Sequence, residues 1–277
     1  MLGTDACRLL KQRGHEVIAT GRKEGLVSLD VCDTAQTRAV LTAHRPDAIL
    51  HCAAWTNVDG AEYDPLGAYR GNALSTWNIA AASGTIDAWV VSVSTDFVFD
   101  GAKTTPYTEY DRVNPLGVYG ASKEAGEQLI RQTLPDRHII ARTSWLFGKH
   151  GKCFPKTVVR LAETKPEVPI VADQMGCPTY TVDLANKLID LMEDPLPGTY
   201  HVCNDGSCSW FEFAQEIVRQ SGLSTPVVPI TAEEYTARFN SPTKRPAYSV
   251  MQRLALELRG KDDLRPWQEA LTDFLTP

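Results

Sequence analysis

The chain has 277 residues, 43% of them hydrophobic and 22% charged, with a formal net charge of −6; that suits one large domain or two intimate ones with ample length for a core. No lysine- or arginine-rich run offers nucleic acid an electrostatic footprint, no apolar run approaches the ~18 residues of a membrane span, and no secretory signal opens the chain. Seven scattered cysteines (7, 32, 52, 153, 177, 203 and 208) read as reduced core or loop thiols of a cytoplasmic protein, and Cys203 and Cys208 lack a partner pair, so no metal site is expected.

Residues 4–13 carry Ala6, Leu9 and Leu10 at helical spacing and stop at Gly14, a residue suited to the position after a helix. Residues 16–20 read as a strand, followed by Gly21-Arg22-Lys23. An NAD-type site usually offers an acid here; two cations instead favour a 2′-phosphate, with Arg22 as its partner, against the plain alternative of a solvated turn. Residues 34–44 form the next predicted helix, with Asp33 or Thr34 as N-cap, and 48–53 the next strand, followed by Ala54, Trp55 and Thr56. Asp64-Pro65 breaks the chain before a long helix over 68–83 that contains Asn72 and Asn78. Residues 88–93 read as a buried parallel strand with Ser94-Thr95-Asp96 at its C-terminal end, where open α/β sheets place their ligands. A polar segment then leads through Asn114-Pro115 into a helix carrying Ala125, Leu129 and Ile130, and 138–143 is another strand with Trp145 at its end.

From Gly151 the pattern becomes α+β. A helix over 154–163 and a short strand over 168–171, marked as an edge by Pro169, come first. A helix over 182–193, a strand over 198–203 and a helix opened by the Ser209/Glu212 capping-box pattern follow. An extended 226–230 and a last helix from Pro266-Trp267 to near Leu275 complete the chain. The fold class read from this order is α/β: a Rossmann-like doubly wound parallel sheet with a smaller α+β C-terminal lobe. The expected division is a dinucleotide-binding domain over 1–150, joined by 180–204, and a mainly substrate-binding lobe over 151–277.

Tyr119 and Lys123 are four residues apart, hence on one helix face. A phenol near its usual pKa of about 10 is a poor acid–base group at neutral pH, and an ammonium beside it favours the phenolate. The Thr95 hydroxyl, at a strand end, is placed to hydrogen-bond the same reacting oxygen. Together they make a proton donor, its tuner and an orienting donor for a carbonyl. A Y-x-x-x-K spacing alone is common on solvated helix faces; the preceding strand and its S-T-D end give it weight.

Five stretches, in order along most of the chain, resemble the dTDP-4-dehydrorhamnose reductase family of extended short-chain dehydrogenases/reductases. They are His51-Cys-Ala-Ala-Trp-Thr-Asn-Val-Asp59, Ser94-Thr-Asp-Phe-Val-Phe-Asp-Gly101, Asn114-Pro-Leu-Gly-Val-Tyr-Gly120, Arg142-Thr-Ser-Trp-Leu-Phe-Gly148 and Asp173-Gln-Met-Gly-Cys-Pro-Thr179. The resemblance implies reduction of the C4 ketone of dTDP-4-dehydro-L-rhamnose by NADPH, with NADH left open, to give dTDP-L-rhamnose. It implies Tyr119 as proton donor, Lys123 as its tuner and holder of the nicotinamide ribose, Thr95 as orienter of the ketone, and Asp96 and Trp145 as substrate contacts. Asp30 and Val31 would lie by the adenine, with Ala54, Trp55, Thr56 and Val93 along the cofactor and Asn72 as a structural asparagine nearby. Lys244-Arg245-Pro246 and Ser249 resemble the family's C-terminal substrate-region pattern. Met1-Leu2-Gly3 stands at the tail of the glycine-rich turn, Gly3 as its last glycine; the first strand and earlier glycines that a Rossmann unit places there are expected to be lacking. A homodimer is compatible with the resemblance. Two rival readings stay open: a non-catalytic binding subunit similar to the regulatory subunit of methionine adenosyltransferase, and a sibling ketoreductase acting on a different nucleotide deoxysugar.

Overall fold

The structure, a computed structural model, describes residues 1–276. Its centre is a parallel sheet of four strands in the spatial order Gly198–His201, His138–Thr143, Trp89–Thr95, Ala48–His51. Side chains alternate across a strand, so neighbouring residues feed opposite cores. Val91, Ile139 and Ala141 pack with Leu2, Ala6 and Leu9 of helix Leu2–Gln12 and Leu184 and Leu188 of helix Thr181–Glu193. Val90 and Ile140 pack with Leu41, Ile79, Ala80 and Ile130, which come from helices Thr34–His44, Ser75–Gly84 and Val118–Thr133. Helices therefore cover both faces, as a buried parallel sheet requires. All four strands run the same way, so their C-terminal ends share one edge.

Two sequence expectations change here. The strand expected over 16–20 is reduced to Thr20–Gly21, paired in parallel with Val27–Ser28 apart from the main sheet. Among the described residues no other strand lies beside this segment, and a strand is made by ladder partners, not by apolar pattern alone. The long helix expected over 68–83 is three joined pieces, Pro65–Tyr69, a π turn at Arg70–Leu74, and Ser75–Gly84. The π turn carries Asn72, and such turns cluster at functional positions.

The C-terminal lobe packs around Phe147, Tyr180, Phe213, Trp267 and Phe274. Ser209 and Glu212 form the expected capping box of helix Trp210–Gln220. Among the described residues Val168–Val171 pairs only with Val227–Ile230, so Pro169 does stand in a two-stranded edge. Helices Val58–Tyr63, Ala232–Phe239 and Leu254–Leu258 were not expected from sequence. Among the described residues no helix is long and apolar enough to cross a membrane.

One buried carboxylate ties the Val118–Thr133 helix to the sheet. Glu127 accepts from Ser94 Oγ at 2.6 Å, from Arg142 Nε at 2.9 Å and Nη2 at 2.7 Å, and from Arg131 Nη2 at 2.8 Å. Arg131 Nη2 continues to Thr199 Oγ1 at 3.0 Å, so one side chain reaches three adjacent strands directly or through one partner.

Candidate active site

The helix carrying Tyr119 and Lys123 begins at Val118 without a side-chain cap of its own. Glu62, from helix Val58–Tyr63, supplies the acceptor: Val118 N donates to its Oε1 at 2.8 Å. Gly120 explains how close the helix lies to the Asp96–Val98 turn: a Cβ there would stand 2.2 Å from the Phe97 carbonyl oxygen. The Tyr119 ring meets Phe97 edge-on, centroids 5.7 Å apart. Thr95 ends strand Trp89–Thr95 and lies near enough to the Tyr119 phenol to influence its proton.

Burial pushes the Tyr119 phenol up to about 12; the Thr95 hydroxyl pulls the other way and the Asp96 charge adds to the rise. The expectation that Lys123 lowers it is not met. Lys123 Nζ donates to the Val93 carbonyl at 2.6 Å, so its ammonium is engaged there, and the Tyr119 phenol is raised, not lowered. Burial pushes Lys123 itself down to about 8, with the Glu127 charge opposing. The physical reason is enclosure: desolvation disfavours both charged forms, and the nearest acceptor captures the ammonium. Like any phenol, that of Tyr119 is protonated at neutral pH, the state a proton donor needs.

Asp96, expected at the substrate, is only 2% exposed. Thr95 Oγ donates to its Oδ1 at 3.1 Å and Ser249 Oγ to its Oδ2 at 2.7 Å, while Phe97 N donates to Thr95 Oγ at 3.2 Å. Burial pushes Asp96 up to about 6 against the pull of Ser249 and Thr95. The contact with Ser249 spans 153 residues of sequence, which is why no local pattern shows it.

The residues expected to hold the cofactor come from several segments. Arg22 follows Thr20–Gly21, is exposed, and has no ion-pair partner among the described residues. Asp30 is exposed, its Oδ1 accepting from Cys32 N at 3.0 Å, and the Val31 carbonyl accepts from Asn78 Nδ2 at 2.9 Å. Ala54 and Thr56 are exposed beyond strand Ala48–His51, with Trp55 part-buried between them. Asn72 fixes that segment: its Oδ1 accepts from Trp55 N at 2.8 Å, and its Nδ2 donates to the Ser122 hydroxyl at 2.9 Å. Gly3 lies in the first turn of helix Leu2–Gln12, whose N-terminus has no side-chain cap. A Cβ at Gly3 would make only ordinary contact with Cys52, at 3.9 Å, so packing alone does not demand glycine. These groups fit a phosphorylated dinucleotide: open cations and free N–H groups for phosphate, small side chains for close approach. No group of His, Cys, Asp and Glu is arranged to hold a metal ion among the described residues.

Trp145 is part-buried and takes a positive φ of 48°, which is rare for a bulky residue and marks local strain. It stacks on Trp210 with centroids 3.5 Å apart, and a Cβ on Gly176 would fall 2.5 Å from its ring. Trp210, Gly176, Glu62 and Ser249 contact or position these site residues; the sequence pattern pointed to Gly176 and to Ser249, the latter as part of the substrate region, and to neither Trp210 nor Glu62.

A parallel sheet wound on both faces, with Thr95, Tyr119 and Lys123 at the edge where its strands end, defines a Rossmann-like protein of the extended short-chain dehydrogenase/reductase class. The chain belongs to the family described as the RmlD substrate binding domain, whose model matches residues 1–277. It is 45% identical over 276 residues to the spore coat polysaccharide biosynthesis protein SpsK of Bacillus subtilis, covering 99% of this chain and 93% of that protein. It is 38% identical to a dTDP-4-dehydrorhamnose reductase of Streptomyces griseus, covering 99% of this chain and 89% of the relative. The crystal structure of dTDP-4-dehydrorhamnose reductase from Bacillus anthracis in complex with NADP is similar at a TM-score of 0.93 and 39% identity, covering 99% of this chain and 94% of that one.

Proposed function

We propose that the protein reduces the C4 ketone of dTDP-4-dehydro-L-rhamnose with NADPH, giving dTDP-L-rhamnose. The observation that carries this reading is the seating of Tyr119 against the Thr95–Phe97 turn and of Lys123 on the Val93 carbonyl, at the C-terminal end of strand Trp89–Thr95. When bound, NADPH supplies the hydride. Arg22 would hold the 2′-phosphate, Asp30 and Val31 the adenine side, Gly3 the pyrophosphate end, and Ala54, Trp55, Thr56 and Val93 the length between. Tyr119 gives its proton to the oxygen that becomes the alcohol. Lys123, charged below about pH 8, places a positive charge beside the Val93 carbonyl and would hold the nicotinamide ribose. Trp145 offers an apolar wall to the sugar, braced from behind by Trp210.

The test is steady-state oxidation of NADPH with dTDP-4-dehydro-L-rhamnose and with dTDP-4-keto sugars of other stereochemistry. Turnover limited to a different sugar would move the reading to a sibling ketoreductase. Tight binding of NADPH without turnover of any of them would favour a binding subunit.

A further inference from the structure

Thr95 carries one hydroxyl hydrogen, and in this structure it points inward, to Asp96 Oδ1 at 3.1 Å. A hydroxyl donates once and accepts twice; the Thr95 lone pairs receive Phe97 N–H and face Tyr119. Thr95 therefore cannot hold Asp96 and donate to a ketone oxygen at the same moment. Asp96 in turn is gripped from the other lobe. Ser249 Oγ donates to its Oδ2 at 2.7 Å, and the segment carrying Ser249 is pinned by two backbone bonds of 2.8 Å, Ser249 N to Met175 O and Met175 N to Ala247 O. Both Asp96 and Ser249 are 2% exposed, so water does not compete for these contacts.

We propose that Ser249 is a positioning residue for the reduction: through Asp96 it sets the direction in which the Thr95 hydroxyl donates. This rests on the reading of Thr95, Tyr119 and Lys123 as the reducing group. With Asp96 ionised, Thr95 is turned to the carboxylate, and the nearby charge holds the Tyr119 proton more tightly. With Asp96 protonated, its O–H donates to Thr95 Oγ and frees the Thr95 hydrogen for the ketone oxygen. Burial pushes Asp96 up to about 6, so the change of state falls within ordinary assay pH. The titratable groups facing Asp96 are Tyr119, from the Val118–Thr133 helix, and Cys177, beyond Met175–Gly176. Tyr119 is pushed up by burial, and Cys177 by hydrogen bonding to the Cys203 thiol and by burial, so both stay neutral below pH ~8. Lys123 is engaged at the Val93 carbonyl.

The experiment has two arms. In the first, kcat for NADPH-dependent reduction is measured from about pH 5 to about pH 8; the wild-type value is expected to fall as pH rises through the Asp96 transition. Ser249→Ala, which removes one donor from the carboxylate, is expected to move that limb up by about one pH unit. Ser249→Thr keeps the hydroxyl and the limb, and Asp96→Asn loses the limb. A uniform drop in kcat with the limb unmoved in Ser249→Ala overturns the proposal. The second arm needs no substrate: the Asp96 carboxyl carbon-13 resonance, assigned by its loss in Asp96→Asn, is titrated in wild type and Ser249→Ala. A higher midpoint in the variant supports the proposal, and equal midpoints overturn it. A protein inactive on every nucleotide 4-keto sugar rejects the functional reading, and the resonance titration still decides whether Ser249 controls Asp96.

Discussion

Tyr119→Phe deletes one hydroxyl and leaves the ring against Phe97, so it separates proton donation from packing. General acid catalysis is worth about 10²–10⁴-fold; kcat is expected to fall within that range while NADPH affinity, measured by fluorescence titration, stays near wild type. An unchanged kcat would remove Tyr119 as the donor. Arg22 is tested by contrast between cofactors. A charge-assisted contact contributes about 1.5–3 kcal/mol, so Arg22→Ala should weaken NADPH binding by that amount and leave NADH binding unaltered; equal losses would reject the assignment. Both expectations come from residue type and place in the motif, which carry the chemistry. The orientation of Lys123 was not legible there, since the acceptor that captures it, the Val93 carbonyl, is 30 residues away and belongs to another element.

At the scale of elements, Gly120 decides how the catalytic helix meets the sheet. Its missing side chain lets the helix rest on the Phe97 carbonyl, a backbone atom that cannot swing aside. Gly120→Ala should lift the first turn, separate Tyr119 from Thr95, and lower both thermal stability and kcat. Overpacking of this kind costs about 1–3 kcal/mol, and a variant with wild-type melting temperature and turnover would show that the close approach is dispensable. The buried strands and the helices with one apolar face were readable from the sequence because burial imposes a period. Helix Ala232–Phe239 escaped for the opposite reason: it buries none of its residues, and only the Thr231/Glu234 capping box announces it. The π turn at Arg70–Leu74 leaves no pattern of its own; it shows only in the side-chain bonds of Asn72 to Trp55 and Ser122. Residues 16–20 read as a strand but form one only at Thr20, because a ladder needs neighbours that a local pattern cannot supply.

For the whole molecule, the Glu127 cluster joins the helix bearing Tyr119 and Lys123 to the strand bearing Thr95, so stability and site geometry share one buried ion pair. Glu127 and Arg142 are each about 3% exposed. Burial alone would raise the Glu127 carboxyl, but the bonds and charges of Arg142, Arg131 and Ser94 outweigh it and hold the group below its ordinary 4.5. A carboxyl lowered in the folded state adds stability that is fully present above its unfolded value and is lost as pH falls through the folded value. Glu127→Gln keeps the shape but leaves Arg142 without its counter-charge, an uncompensated buried cation that costs about 3–5 kcal/mol. Urea unfolding at neutral pH should therefore show a lower midpoint for the variant. At acid pH, as it falls through that lowered folded value, the wild-type carboxyl itself takes up a proton, so the gap between the two proteins should narrow. A gap of the same size at both pH values would mean that the side chain acts by shape and hydrogen bonding, and that its charge is not what fastens the catalytic helix to the sheet.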